Sequence, residues 1–238
     1  GFPGSPRLAA IYKPWKGQAF RASVGTAFRA PTQAETYLDL AASSPVAGVL
    51  INLVGGNAAL QPEDIFTSEI GYLFQGETGE FESVAYINRV NNLITRSSLI
   101  PTSIDQSYDP RVGGYIGAQS FYQNEDRVFL ALGSELSLRI YPLDGFDLGL
   151  NYAYQYIFDL ETEARFTDSP LHKATIWTQM RTRYGLDLGA SLHYVSSQDW
   201  IEPDFDPDDP SGFRLDPMRV DASWVLIARA GYRMLDDR

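Results

Sequence analysis

Cysteine is absent from the 238 residues and histidine occurs only twice. The first absence removes disulfides, thiolate metal sites and thiol nucleophiles together. The second leaves only His172 and His193, with no acidic ligand pattern beside them, so no metal site is expected. No run of about 18 apolar residues occurs, which excludes a transmembrane helix but not membrane strands. Basic residues are outnumbered 19 to 30, a net charge of −11 with no basic stripe to offset it. Nucleic acid is therefore excluded as a partner. Neither a G-x-S-x-G elbow nor a phosphate-cradling glycine loop is present. Carboxylates are plentiful, yet no two stand out as a poised acid and base. The chain is not expected to be an enzyme or to hold a cofactor.

What the chain does have is alternation. In 128–140, Val128, Leu130, Leu132, Leu136, Leu138 and Ile140 share one face, against Ala131, Gly133, Glu135, Ser137 and Arg139. In 146–158, Phe146, Leu148, Leu150, Tyr152, Tyr154, Tyr156 and Phe158 oppose Asp147, Gly149, Asn151, Ala153 and Gln155. Successive side chains of a strand point to opposite faces, so each segment has one apolar and one polar surface. The polar rows hold charges and glycines that a packed core would reject. A membrane β-barrel with a polar lumen has this pattern.

About nine strands are legible, at 7–13, 18–30, 65–75, 81–94, 127–141, 146–158, 172–184, 186–196 and 218–233. Most reach the roughly 9–11 residues that a tilted strand needs to cross a bilayer. Short turns at 14–17, 76–80, 142–145 and Gly185 alternate with long connections at 31–64, 100–126, 159–171 and 197–217. A meander with short turns at one rim and long loops at the other is an up-and-down barrel. The rival is a soluble amphipathic sheet, but Greek-key crossings would mix the two ends. The sidedness of the fourth strand stays open, because neither face of 84–90 is clean. The fold class is thus all-β, an antiparallel transmembrane barrel segment. Two bare sheet edges in lipid would leave backbone groups unpaired, so strands are expected beyond both ends.

Three local patterns carry a family resemblance. Gly25-Thr26-Ala27-Phe28-Arg29-Ala30-Pro31-Thr32, followed by Glu35, resembles a "FRAPT" segment. Asn57-Ala58-Ala59-Leu60-Gln61-Pro62-Glu63, then Ser68-Glu69-Ile70-Gly71-Tyr72, is similar to "N-x-x-L-x-PE…E-x-GY". Pro170-Leu171-His172-Lys173 resembles "P-x-HK" at the start of a strand. Together they resemble the TonB-dependent outer-membrane receptors of bacteria, across nearly the whole chain. The resemblance implies that 1–238 is part of a single barrel domain of about 22 strands, with the plug domain, the TonB box and the final strands absent. It implies TonB-coupled uptake of a scarce solute such as a ferric siderophore, a cobalamin or a glycan. The partners would be outer-membrane lipid, the solute, and the TonB complex through the missing plug, in a monomeric barrel. A passive porin-like or structural barrel is the alternative, with an outer-membrane enzyme behind it.

The motif residues Phe28, Arg29, Ala30, Pro31, Asn57, Leu60, Pro62, Glu63, Glu69, Gly71 and Tyr72 are expected to be structural. Pro31 and Pro62 cannot donate to a ladder and so end or precede strands. Arg29, at the end of a polar row, could pair with plug or loop carboxylates. Ligand contact is expected from Arg29, Tyr37, Tyr108, Arg111, Tyr115, Tyr122 and Trp200, since aromatics with a few polar groups suit recognition of a flat chelate or a sugar. The acidic stretch 202–209 is expected to be a solvated loop; it lacks the glycine and closing glutamate of an EF-hand.

Overall fold

The computed structural model describes residues 4–43, 49–97, 100–103, 108–110, 114–205 and 213–234. Their elements in chain order are β1 (Arg7–Tyr12), β2 (Gln18–Arg29), α1 (Gln33–Tyr37), β3 (Asp39–Ser43), β4 (Val49–Gly55), β5 (Glu63–Gln75), β6 (Gly79–Asn91), β7 (Ile94–Arg96), β8 (Ile100–Pro101), β9 (Tyr108–Asp109), β10 (Gly114–Asn124), β11 (Phe129–Leu143), β12 (Phe146–Asp159), β13 (His172–Arg181), β14 (Leu186–Val195), β15 (Gln198–Phe205), β16 (Phe213–Val220) and β17 (Ser223–Tyr232).

Nine strands form one antiparallel sheet in the order β1-β2-β5-β6-β11-β12-β13-β14-β17. Each pairs with the wall strand next in sequence, so the expected meander is present. β11 and β12 run for 15 and 14 residues, long enough to cross a bilayer at a tilt.

Two expectations need correction. The predicted strand 218–233 is two strands: β16 ends at Val220 and pairs with β15, whereas β17 starts at Ser223 and pairs with β14. A period-two pattern reports which face a residue takes, not which strand it pairs with, so the change of partner left no mark. The long connections also carry structure of their own. β3, β4, β10 and β7 line up in a second sheet, with β8 and β9 added to β10. Within it β4 and β10 run parallel, joining the β2–β5 connection to the β6–β11 connection.

The pairing register assigns the faces. Phe20, Tyr72, Ser83, Leu136, Tyr152, Ala174, Tyr194 and Trp224 stand in one cross-strand row. Phe74, Phe81, Leu138, Leu150, Ile176, Leu192 and Leu226 form another on the same face. The opposite face carries Leu73, Glu82, Ser137, Asn151, Thr175, His193 and Val225. This settles the fourth strand: Phe81, Ser83, Ala85, Ile87 and Arg89 lie on the apolar face, and Glu80, Glu82, Val84, Tyr86 and Asn88 on the polar one. Ser83 and Arg89 on the apolar side, with Val84 on the polar side, had blurred the pattern. On the apolar face Ile70 is 64% exposed and Leu226 71% exposed. Water would penalise such rows, whereas hydrocarbon is their natural solvent.

Glycines on the polar face let large neighbours lie flat across the wall. A Cβ at Gly133 would collide with the Tyr86 ring, and one at Gly149 with the Trp177 indole. At the short-turn rim Arg139 bonds Asp147 at 2.9 Å, and Arg181 reaches the same carboxylate at 3.4 Å. Arg229 pairs with Asp187 at 3.3 Å. Three of the turns share one device: Gly17, Gly145 and Gly185 adopt positive φ. Each also accepts, through its carbonyl, the N–H of a residue on the strand beyond: Gln75, Arg181 and Arg233 respectively. Positive φ is a conformation glycine adopts without steric cost.

Of the buried apolar residues, Val54, Leu60, Val84, Ile94, Ala118, Phe129 and Ala131, Val84 alone lies midway along a wall strand. Most sit where the long connections fold back on its end, so the packed part of this chain is its long-loop rim.

Candidate functional site

That rim is organised around Arg29. Pro31 has no N–H to extend a ladder, and β2 stops at Arg29. Thr32 then caps α1. Its hydroxyl accepts the Glu35 N–H at 3.2 Å and the Glu35 carboxylate accepts the Thr32 N–H at 2.7 Å, a reciprocal capping box. The same carboxylate takes Arg29 Nη1 at 3.0 Å to both oxygens. Arg29 Nε and Nη2 each donate to Glu63 at 2.6 Å. Glu63 Oε1 also accepts the Ile94 N–H at 2.9 Å. Only 4% of Glu63 is exposed; a carboxylate so buried is tolerable because charged and neutral donors meet both oxygens. Burial would raise Glu35, but the Thr32 N–H and the Arg29 guanidinium outweigh it and hold the carboxyl below its ordinary value. One guanidinium thus joins the end of β2, the first turn of α1 and the start of β5.

The second motif ties the connections to one another. Asn57 donates to the Tyr122 carbonyl at 3.0 Å, and Leu60 is buried. Beside it Gln61 and Asn124 exchange two hydrogen bonds, N–H to Oδ1 at 2.8 Å and Nδ2 to carbonyl at 2.9 Å. Asn124 Nδ2 also reaches the Asn92 carbonyl at 2.8 Å. Pro62 stands immediately before β5. Glu69 is on the polar face, where it accepts from Ser23 at 3.3 Å and lies 3.6 Å from Arg7. The Arg21 side chain lies against Gly71. On the apolar face Phe28 is 40% exposed. Tyr72 there packs between Phe20 and Phe81 and donates to Gln18 at 3.0 Å.

A second hub went unread in the sequence. Asp159 ends β12, is 2% exposed, and accepts from the N–H groups of Glu161 and Thr162. Arg127 reaches it at 2.8 Å and also pairs with Glu125 at 3.2 Å. Burial would raise Glu125, but the Thr95 hydroxyl at 2.8 Å and Arg127 lower it further. The available signal was an aspartate at a strand end followed by a polar loop, the start of an Asx turn.

Of the expected ligand contacts, the structure brings Tyr108 and Tyr115 together edge-on, with centroids 5.2 Å apart. Tyr37 ends α1 and is 76% exposed. Tyr122 is held in β10 by its carbonyl bond to Asn57. Arg111 lies outside the described residues, as do the Trp200 side chain and the side chains of the acidic stretch 202–209; the backbone of 202–205 is not the expected loop but the end of β15, paired with β16. His193, on the polar face, bonds Thr175 and Ser191, each at 3.0 Å. His172, on the apolar face, bonds the Tyr152 hydroxyl at 2.8 Å.

The family model described as "TonB dependent receptor-like, beta-barrel" matches residues 2–237. Among solved structures, the siderophore receptor PirA from Acinetobacter baumannii aligns with a TM-score of 0.67 at 16% identity, covering 98% of this chain and 35% of that one. The ferric enterobactin receptor PfeA from Pseudomonas aeruginosa, solved in complex with BCV-L6, gives 0.70 at 16% identity, with 97% and 33% covered. The copper transporter OprC gives 0.68 at 15%, with 97% and 32% covered. The chain therefore spans about a third of the length of these structures. At such identities the likeness concerns the fold. No curated protein matches the sequence.

Proposed function

The chain belongs to the TonB-dependent receptor family, whose members are bacterial outer-membrane proteins, and on that premise we propose that it is wall and loop platform of a receptor for energised uptake of a scarce solute. The observation that carries the proposal is the joining of the long-loop rim to a two-faced wall through Arg29. A wall with one apolar and one polar face can stand in lipid and surround an aqueous path. A solute receptor also needs loops that hold their positions relative to that path, and the Arg29–Glu35–Glu63 and Asn57–Tyr122 links supply this.

In this reading 1–238 belongs to one barrel domain that further strands close and a plug fills. The solute, a ferric siderophore, a cobalamin or a glycan, is captured at the long loops. TonB then acts on the plug and frees the lumen. Arg29, Tyr37, Tyr108, Arg111, Tyr115, Tyr122 and Trp200 remain the proposed contacts, with Arg29 acting mainly through the loops it braces. No covalent step is required of the wall.

Uptake of labelled ferric siderophores, cobalamin and oligosaccharides by cells with and without the gene tests the reading. Uptake of one class that disappears when TonB is deleted is the expected result. Uptake indifferent to TonB would replace the receptor with a passive pore.

A further inference from the structure

A cavity of about 350 Å³ lies on the polar side of the long-loop rim, between the start of β11 and the connection from β12 to β13. It sits near the lower end of the range for small-ligand pockets, roughly 300–1,000 Å³, enough for one or two rings. Phe129, 3% exposed, closes the back. Phe166 meets it edge-on at 5.6 Å and 87°. Its backbone N–H is bound by the Ile157 carbonyl at 2.9 Å, which fixes the ring's position along β12. The neighbouring Thr167 carbonyl accepts the Asp199 N–H at 2.8 Å, so β15 is held against the same connection.

The polar groups around these rings fall into two kinds. Arg127 is already committed to Glu125 and Asp159. Three others are not. Arg165 Nε is buried without a partner, and an unpaired buried donor is costly unless something fills the gap. Neither Asp199 nor Asp168 has a hydrogen-bond or ion-pair partner for its carboxylate from another residue among the described residues. The cavity therefore offers an aromatic surface, one donor seeking an oxygen, and two acceptors seeking hydrogen donors.

We propose that this cavity is a binding subsite for a neutral ring bearing adjacent hydroxyls. The ring's apolar face would lie against Phe166, one oxygen would accept from Arg165 Nε, and hydroxyls would donate to Asp168 and Asp199. The two free carboxylates select against phosphate or carboxylate ligands, because like charges repel in a partly desolvated site. A pyranose and a dihydroxyphenyl ring share this chemistry. The proposal rests on the receptor reading above, since it takes the polar face as the one the solute meets.

The test uses the native protein in detergent, with methyl glucoside and 2,3-dihydroxybenzamide as separate probes and benzamide as the ring without hydroxyls. Binding is followed by saturation-transfer NMR, and TonB-dependent uptake is measured in cells in parallel. At least one hydroxylated probe is expected to bind and benzamide not to bind. Asp199→Asn, which keeps shape and the backbone bond to Thr167, is expected to weaken that probe at least tenfold with an unchanged melting transition. Phe166→Ala should do the same, and Phe166→Tyr should retain binding. Whichever probe binds identifies the source of the ring. Failure of both probes to bind, or equal binding by wild type, Asp199→Asn and Phe166→Ala, overturns the subsite. If uptake is TonB-dependent all the same, the receptor reading survives that failure. Absence of TonB-dependent uptake overturns the receptor reading instead.

Discussion

Arg29 and Glu63 stand directly opposite each other on β2 and β5 and meet through two hydrogen bonds of 2.6 Å. They come from separate sequence motifs 34 residues apart, so the two motifs are halves of one brace. Replacing Arg29 by alanine leaves the buried Glu63, among the described residues, with only the Ile94 N–H. The expected cost is about 1–3 kcal/mol, read as earlier thermal unfolding in detergent and faster protease cleavage between 30 and 62. Arg29→Lys should rescue little, because an ammonium cannot present two forks to two carboxylates.

Acid should loosen the same brace. Glu35 is held below the ordinary glutamate range despite the burial that opposes this, by Thr32 and Arg29. A depressed carboxyl contributes its full stabilisation above its unfolded value, about 4.3, and loses it as the pH falls through the lower folded value. Protease protection of the 30–62 connection should hold from neutral pH to about 5 and then decline. Glu35→Gln should be less protected at neutral pH and show a flatter pH dependence.

Much of the wall was legible because a strand has only two faces. Wherever Leu138 or Tyr152 alternated with Ser137 or Asn151, the period alone fixed the element. The failures have separate physical causes. β16 and β17 continue one alternation while changing partner, and partner choice is not a local property. The parallel pairing of β4 with β10 joins segments more than 60 residues apart, which leaves no short-range signal. At the rim, Arg29 was legible as a cation awaiting a carboxylate, and Glu35 and Glu63 are the partners the structure supplies. The Arg127–Asp159 hub and the cavity beside it depend on how a loop folds back, and residue types alone did not mark them.

The turn glycines give a sharp stability test. Gly145 has φ +75°, and a Cβ there would strike the Arg181 carbonyl at the end of β13, the strand next to the turn's own hairpin. Gly145→Ala is expected to cost at least the roughly 1–2 kcal/mol of left-handed backbone for an L-residue. Slower refolding into detergent, followed by heat-modifiable gel mobility, is the readout. Gly4→Ala should have no effect, since nothing lies within 4 Å of it.

Charge insertion separates the faces of one strand. Leu138 pairs with Leu150 on the apolar face and Ser137 with Asn151 on the polar face. Leu138→Arg should destabilise the membrane-inserted form by about 2–4 kcal/mol if it lies near the midplane. Ser137→Arg should cost far less, because it faces the polar side. Refolding titrations in lipid vesicles measure both.

The central claim is that consecutive residues of a wall strand meet lipid and lumen in turn. Because the chain contains no cysteine, single cysteines from Leu150 to Tyr156 can each carry a spin label without background from this segment. The native protein in vesicles would then be probed by collision with oxygen, which concentrates in lipid, and with a water-soluble nickel complex. The account predicts strict alternation, with oxygen favoured at 150, 152, 154 and 156 and excluded relative to its neighbours at 151, 153 and 155. Equal oxygen access along the strand, or nickel access highest at the even positions, would contradict a wall standing in the membrane with this face outward.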